Sequence, residues 1–348
     1  MATDTERLSS SELADLLPAI ETGDRLRRTD CLRLWQTDDL TSLGVLANRR
    51  RELVSGDTAY IHPAMHLNST GLPVPACPEC NVASTVDGSA LSPEAVDQAL
   101  MRVNSGQAGE LHMAGGPHSG IGLDGLCRLV ERAVSSHPQW KLRAFTWQEL
   151  EHAAAKDGRT PAQALAALVS AGLASLVGGA LADLSPDQPH LCSDSISMME
   201  RRMPWIQAAA DLGLKCELCW VFGDNDDQET LTDTLVCIRG IQDYGAIFEC
   251  FAPLAFRWHT DTLDLPMPTG YNHLRAVAIG RLFLDNIARI RSSPHAVGEP
   301  LAQVAQWYGA DDAGGFCAAE NSGAQGAEIR RDRMSNLLRE AGREPVEL

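Results

Sequence analysis

The sequence predicts an α/β protein whose core is a partial parallel TIM barrel, (β/α)6. Three observations support this fold class. Strand-like and helix-like segments alternate six times between residues 57 and 260, and glycine pairs follow two of the strands. The chain of 348 residues is long enough for one large α/β barrel or two modest domains. Strands that alternate with helices pair in parallel through right-handed crossovers, and six units fall short of a complete eight-unit barrel.

The chain divides into three predicted parts: an N-terminal helical wrap (1–56), the barrel core (57–260) and a C-terminal helical extension packed on the barrel (261–348). Thr160 followed by Pro161 is typical of a helix start inside the core. Pro63 argues against a central position for the first strand, because proline cannot donate to the ladder. The predicted strands are TAYIHPAMHL, ELHMAGG, KLRAFTW, LASLVGG, KCELCWVFG and IFECFAPLAF.

Composition excludes several classes of partner. The net charge of −17 and the pI near 4.9 argue against binding to nucleic acid or to an anionic membrane surface. The first twenty residues lack the basic start and apolar core of a signal peptide, and no run of about 18 apolar residues occurs. Ten cysteines without an export signal indicate a reducing compartment, so we expect a cytoplasmic protein.

Polar and glycine residues follow the predicted strands, where parallel α/β folds place their chemistry. We expect Gly115, Gly116, Thr146, Glu149, Gly178 and Gly179 to bind a cofactor, although Gly-Gly also suits a tight turn and Glu149 also suits a helix N-terminus. Candidate bases are Glu149, Asp224, Glu217 and His118. Candidates for binding a small-molecule substrate are Asn68, Thr70, Arg257 and His259, of which Arg257 and His259 either bind an acidic substrate or lie exposed on a loop.

Two close cysteine pairs require separate interpretations. Cys77 and Cys80 lie in a loop after the first strand, and such a pair can ligate metal, cycle as a dithiol or pack in a core. Cys216 and Cys219 lie three residues apart within a strand, which places their side chains on opposite faces. We therefore expect packing at the second pair.

Several segments together resemble one enzyme family. They are RRTDCLRLWQTDDLTSLGVLAN, IHPAMHLNST, ELHMAGGPHS, LRAFTWQELEH, AGLASLVGG, LAFRWHTDTLDLPMPTG, ARIRSS, PLAQVAQWYGADD and LREAGREPVE. The chain resembles the radical S-adenosylmethionine (SAM) family of aminofutalosine synthase, dehypoxanthine futalosine cyclase and deazaflavin (FO) synthase. The resemblance spans nearly the whole chain. It implies that the fold is a radical-SAM-like partial barrel, that the cofactor is SAM, and that the enzyme acts in secondary metabolism.

The resemblance also shows a degenerate cluster motif. The family's CxxxCxxC motif supplies three thiolates to a [4Fe-4S] cluster, and here its second and third cysteines match Cys77 and Cys80. Its first cysteine matches Pro73, which cannot ligate. We therefore expect the usual cluster to be absent, although it is not excluded. Cys77 and Cys80 are metal ligands only if another group, such as His66, completes a non-standard set.

The sequence leaves three functions open. The first, which we expect, is a SAM-dependent transferase or lyase that binds SAM without the cluster and performs polar chemistry on SAM or a nucleoside-type substrate. The second is radical addition, as in aminofutalosine synthase, with a non-standard cluster ligand. The third is a non-catalytic paralogue that binds an active relative. The partner of the chain is then either this relative or, in a homodimer, a second copy of itself.

Overall fold

The computed structural model describes residues 8–68, 98, 109–180, 195–223, 227–255, 269–317 and 323–348. An N-terminal group of helices precedes the barrel and packs on its outer face. Trp35 in this group contacts Trp220 on the fifth strand with ring centroids 6.0 Å apart. Among the described residues, no helix is both long enough and apolar enough to cross a membrane.

The described helices are α1 (Leu17–Thr22), α2 (Arg28–Gln36), α3 (Leu40–Ser55), α4 (Leu123–Ser136), α5 (Trp147–Lys156), α6 (Pro161–Ala171), α7 (Ser195–Asp211), α8 (Gln228–Gly245), α9 (Gly270–Phe283), α10 (Pro294–Val297), α11 (Glu299–Ala305) and α12 (Gly323–Glu340). The strands are β1 (Thr58–Asn68), β2 (Glu110–Ala114), β3 (Lys141–Thr146), β4 (Ser175–Ala180), β5 (Cys216–Phe222), β6 (Phe248–Ala255), β7 (Arg289–Ile290), β8 (Asp312–Cys317) and β9 (Glu344–Glu347).

All described strand pairs are parallel, in the order β7-β6-β5-β4-β3-β2-β1-β8, and β9 also pairs with β1. A bridge between Arg291 and Asp312 links the segment after β7 to β8 and so joins the two edges of this sheet. The Ser292 N–H reinforces the link by donating to the Asp312 carbonyl at 2.9 Å. The sheet therefore curves into a barrel, which closes where the segment after β7 meets β8.

The two faces of the sheet carry different residues. On β5, Cys216, Leu218, Trp220 and Phe222 join the large apolar cluster between strands and helices, whereas Cys219 does not. Because neighbouring residues on a strand face opposite sides, Glu217 and Cys219 face the lumen of the barrel. Cys216 and Cys219 are therefore on opposite faces. Burial raises the pKa of the Cys216 thiol, which keeps it in its neutral form.

The predicted fold class is confirmed, and each of the six predicted strands is present as β1 to β6. The C-terminal part differs in detail, because β7, β8 and β9 accompany its helices. The objection that Pro63 raised to a central β1 is wrong, since β1 lies between β2 and β8. The β1–β8 register shifts between Tyr60 and His62, just before Pro63, which pairs with Phe316 of β8.

Candidate functional site

The structure brings several predicted site residues together at the carboxyl ends of β2, β3 and β4. We call Gly115, Gly116, Thr146, Glu149, Gly178 and Gly179 the strand-end cluster. Every one of these residues is buried. Thr146 ends β3 and faces Gly178 of β4 in the ladder, which fixes the spacing of the two strands. The cluster therefore combines backbone from three neighbouring strand ends.

Glu149 holds the strand-end cluster together. Its Oε1 accepts a hydrogen bond from the Gly115 N–H at 2.9 Å, and its Oε2 accepts from the Thr146 N–H at 2.8 Å. The Thr146 hydroxyl donates to the same Oε2 at 3.0 Å, and Thr146 caps α5 in a reciprocal box with Glu149. The carboxylate thus ties the turn after β2 to the start of α5. This engagement favours a positioning role over that of a base.

The backbone beside Glu149 takes conformations that side chains disfavour. Phe145 is buried at a φ of 67°, in the left-handed region that costs most residues about 1–2 kcal/mol. Gly178 has a φ of 72°, and a Cβ there would lie 2.4 Å from the Glu217 carbonyl oxygen. Gly179 has a φ of 86°, and its Cβ would meet only Thr146 Cγ2, at 3.8 Å, among the described atoms. Gly178 is therefore required by packing, whereas Gly179 has room beside it among the described residues.

A second polar cluster occupies the barrel interior. We call it the lumen network; its members are His62, Glu110, His112, Arg143, Glu217, Glu249, Arg289, Arg291 and Asp312. Arg291 is its centre, because its two terminal nitrogens donate to the Glu217 carboxylate at 2.6 and 2.8 Å. Arg291 Nε donates to Asp312 Oδ1 at 2.8 Å, and His62 Nε2 lies 2.9 Å from Asp312 Oδ2. These bonds connect β1, β5 and β8 across the lumen.

The rest of the lumen network lies on β2, β3 and β6. His112 Nε2 is 2.8 Å from Glu110 Oε2, and Arg143 donates to Glu249 Oε2 at 2.9 Å. Barrel interiors are usually filled by branched apolar side chains, so a charged interior is unusual. Such a cluster persists only when its charges are paired, as they are here.

The carboxylates of the lumen network are held in their charged form. Burial alone would raise the pKa of Glu217, but the charges of Arg291 and Arg143 hold it well below its usual range. Burial is likewise overcome at Asp312, where Arg291 and His62 hold the pKa well below normal. Burial also opposes the shift at Glu110, where the hydrogen bond with His112 lowers the pKa to about 2. The network therefore carries its negative charges at neutral pH.

The other predicted site residues fall in three places. Glu217 lies in the lumen network, where its ion pair with Arg291 favours a structural role. His118 lies after β2, and its Nδ1 accepts the Gly120 N–H at 3.0 Å. The remaining predictions fall outside the described residues: Thr70, Cys77, Cys80, Asp224, Arg257, His259 and the side chain of Asn68. Their roles stay predictions.

Sequence reasoning missed His62, Arg291 and Asp312 as a connected group. Arg291 and Asp312 lie in the segments ARIRSS and GADD, and His62 lies 250 residues before Asp312. No spacing rule links residues so far apart, and only the pairing of β8 with β1 brings them together. Among the described residues, no group of three or more His, Cys, Asp or Glu side chains is arranged to hold a metal ion.

Comparisons with known proteins show what the chain is similar to. Residues 248–347 match the model of the CofH/MqnC C-terminal region. The chain is 27% identical to aminodeoxyfutalosine synthase of Streptomyces coelicolor, over 96% of this chain and 91% of that protein. It is 28% identical to cyclic dehypoxanthine futalosine synthase of the same organism, over 97% and 88% of the two chains.

A third relative and two solved structures are also similar to the chain. The chain is 28% identical to 5-amino-6-(D-ribitylamino)uracil–L-tyrosine 4-hydroxyphenyl transferase of Methanosphaerula palustris, over 90% of this chain and 89% of that protein. Methylornithine synthase (PylB) superposes with a TM-score of 0.67 at 13% identity, covering 95% and 97% of the two chains. The [FeFe]-hydrogenase maturase HydG gives the same TM-score at 14% identity, covering 98% and 77%. At such low identity these structures establish the fold alone.

The comparisons correct the expected function. Polar, non-radical chemistry on SAM is the wrong expectation, because the relatives that match nearly the whole chain are radical SAM enzymes. The proline at position 73 does not outweigh a resemblance that extends over nearly the whole chain. The relatives are named enzymes, which also counts against a non-catalytic paralogue. The resemblance to the radical SAM family of aminofutalosine synthase, dehypoxanthine futalosine cyclase and the deazaflavin-forming enzymes is therefore confirmed, and the chain is an enzyme similar to these relatives.

Proposed function

We propose that this enzyme carries out radical SAM chemistry of the aminofutalosine synthase type, with a non-standard ligand set for its iron–sulfur cluster. The observation that carries the proposal is the strand-end cluster, in which Glu149 fixes the Gly115 backbone beside the open face of Gly179. Buried backbone with glycine at the ends of β2 and β4, on either side of β3, suits close approach of an adenosyl ligand.

We assign SAM to the strand-end cluster. The buried turn at Gly115 and Gly116 offers backbone groups to the amino acid part of SAM, and Gly179 leaves room for a bulky ligand. Glu149 and Thr146 hold these groups in place through their hydrogen bonds. Binding at this site thus depends on backbone groups that are already in position, so little conformational entropy is lost when the ligand binds.

The proposed cluster ligands differ from the three cysteines of the family motif. Cys77 and Cys80 supply two soft thiolates at the family spacing, whereas Pro73 cannot supply the third. When bound, such a cluster supplies the electron that cleaves SAM to methionine and a 5′-deoxyadenosyl radical. We propose addition of this radical to an enol-ether or similar acceptor, as the relatives' family implies.

Anaerobic reconstitution with iron and sulfide tests the proposal. We expect the wild-type chain to bind about four irons and to convert SAM to 5′-deoxyadenosine under reducing conditions. The Cys77→Ser/Cys80→Ser double variant is expected to lose both properties. Cys127→Ser is the matched control, because Cys127 is a free, partly buried thiol on α4, outside the barrel lumen.

A gain-of-function variant sharpens the test. Pro73→Cys restores the third thiolate of the family motif, so it should retain iron more firmly and cleave SAM faster than the wild type. Colourless wild-type protein without iron, together with no 5′-deoxyadenosine, overturns the proposal. Iron that survives in the double variant overturns the assignment of Cys77 and Cys80.

A further inference from the structure

His62 has one ring nitrogen that the lumen network leaves without a partner. The side chain lies on β1 and is 2% exposed. Its Nε2 is 2.9 Å from Asp312 Oδ2, whereas its Nδ1 has no hydrogen-bond partner among the described residues. Buried polar atoms in proteins are nearly always paired, so this nitrogen is a candidate to receive a hydrogen bond from a bound group.

The contacts of Nε2 decide what Nδ1 can do. Arg289 and Arg291 also approach Nε2, at 3.2 and 3.3 Å, but these distances exceed the 2.9 Å to Asp312. Arg291 already binds Glu217 through two short hydrogen bonds. The Nε2–H therefore donates to Asp312, and Nδ1 presents a lone pair that accepts hydrogen bonds.

The charges around His62 limit which class of ligand can bind there. Four carboxylates of the lumen network, on Glu110, Glu217, Glu249 and Asp312, face three guanidinium groups, on Arg143, Arg289 and Arg291. Burial lowers the pKa of His112, so that histidine adds no positive charge at neutral pH. The excess of negative charge disfavours an anion beside His62 and favours a neutral or cationic hydrogen-bond donor.

Small residues lie between His62 and the strand-end cluster. Ala64, Ala114 and Cys219 each follow a lumen-network residue by two positions, towards the carboxyl end of its strand. By strand alternation they face the lumen, and none belongs to the apolar cluster that contacts the helices. Small side chains at these positions fill less of the lumen on the strand-end side of His62, towards the proposed SAM site.

We propose that His62 Nδ1 recognises the substrate by accepting a hydrogen bond from one of its hydroxyl or amine groups, while the reacting part of the substrate lies at the strand ends. This inference deepens the proposed function and rests on it. Asp312 fixes the tautomer of His62, and Arg291 fixes Asp312. A buried acceptor of this kind discriminates strongly against analogues that lack the donor, because the acceptor is then left unpaired.

Nitrogen NMR of the full-length chain labelled with ¹⁵N-histidine tests the inference, with His62 assigned by its loss in His62→Gln. The probes are ribitol, 4-methylphenol and benzoate, of which the first two carry hydroxyl donors and the third is an anion. We expect an unprotonated Nδ1 and a protonated Nε2 at neutral pH. Addition of ribitol or 4-methylphenol should shift the Nδ1 signal, whereas benzoate should leave it in place.

A protonated Nδ1, no shift with either hydroxyl probe, or an equal shift with benzoate overturns the inference. In His62→Gln the amide nitrogen can still donate to Asp312, so we expect a folded chain that binds the responsive probe about tenfold more weakly. The control is His137→Gln, because His137 is also buried with an unpaired Nδ1 but stacks on Trp140 outside the barrel. It should bind the probe as the wild type does.

The NMR measurement needs neither the cluster nor SAM cleavage. Failure of reconstitution therefore overturns the proposed function without changing the tautomer of His62. Conversely, an active enzyme whose Nδ1 is protonated retains the proposed function and loses this inference. The two results are read from separate samples and remain distinguishable.

Discussion

The strand-end cluster and the lumen network place polar groups in one barrel by different means. At the strand ends, one carboxylate binds backbone N–H groups of residues up to 34 positions away, and glycines keep the surface open. In the lumen, charged side chains bind each other across strands, and Arg291 reaches Glu217 over 74 positions. At the strand ends the bonds fix the backbone around glycines, whereas in the lumen they join the strands to one another. Changes to the ion pairs of the lumen should mainly affect folding, and changes at the strand ends or at His62 should mainly affect binding.

The largest effect is expected for Arg291→Met. Loss of the guanidinium leaves the Glu217 and Asp312 carboxylates buried without their shared partner. Breaking a buried ion pair by removing one partner costs about 3–5 kcal/mol. The free energy of unfolding, measured by urea denaturation, should fall by that amount.

Arg25→Met is the matched control for this prediction. Arg25 also bridges two carboxylates, Asp243 and Asp285, but it does so at the surface with 44% of its side chain exposed. Exposed ion pairs contribute about 0–1 kcal/mol, so this variant should lose little stability. Equal losses in the two variants would show that the lumen network does not stabilise the barrel.

An intermediate effect is expected where the two regions touch, at Gly178. Alanine there places its Cβ 2.4 Å from the Glu217 carbonyl at a φ of 72°, so overpacking adds about 1–3 kcal/mol to the backbone strain. Gly179→Ala meets open space and should cost only the strain of about 1–2 kcal/mol, while it weakens SAM binding. Thermal unfolding and calorimetric titration with SAM separate these outcomes. Reversal of the stability order would contradict the packing assigned to Gly178.

A smaller loss of stability than at Gly178 is expected for Glu149→Gln, which keeps one amide oxygen but loses charged hydrogen bonds to Gly115 and Thr146. We expect a loss of about 1–3 kcal/mol, faster hydrogen exchange at the Gly115 amide and weaker SAM binding. Gln163→Ala is the control, since it removes the equivalent capping contact to Thr160 at an exposed helix start. Unchanged exchange at Gly115 in Glu149→Gln would rule out the positioning role.

The sequence predicts the strand-end cluster better than the lumen network for a physical reason. Strand alternation and glycine pairs are local signals, so β1 to β6 and the residues Gly115, Thr146 and Gly178 could be located without coordinates. Arg291 and Asp312 gain their meaning only when the barrel closes, and the short β7 has no periodicity to reveal it. The reaction class was missed because one absent cysteine outweighed a resemblance that covered the chain.

The pairing of β1 carries a consequence for how this protein is made. This first strand of the barrel pairs with β8 and β9, which follow it much later in the chain, and Glu344 donates its N–H to the Asp57 carbonyl. A growing polypeptide leaving the ribosome therefore holds one side of β1 without its partners until residues 312–347 have been made. Contacts between residues so distant along the chain slow folding, and chaperones have a long period in which to act on the nascent barrel.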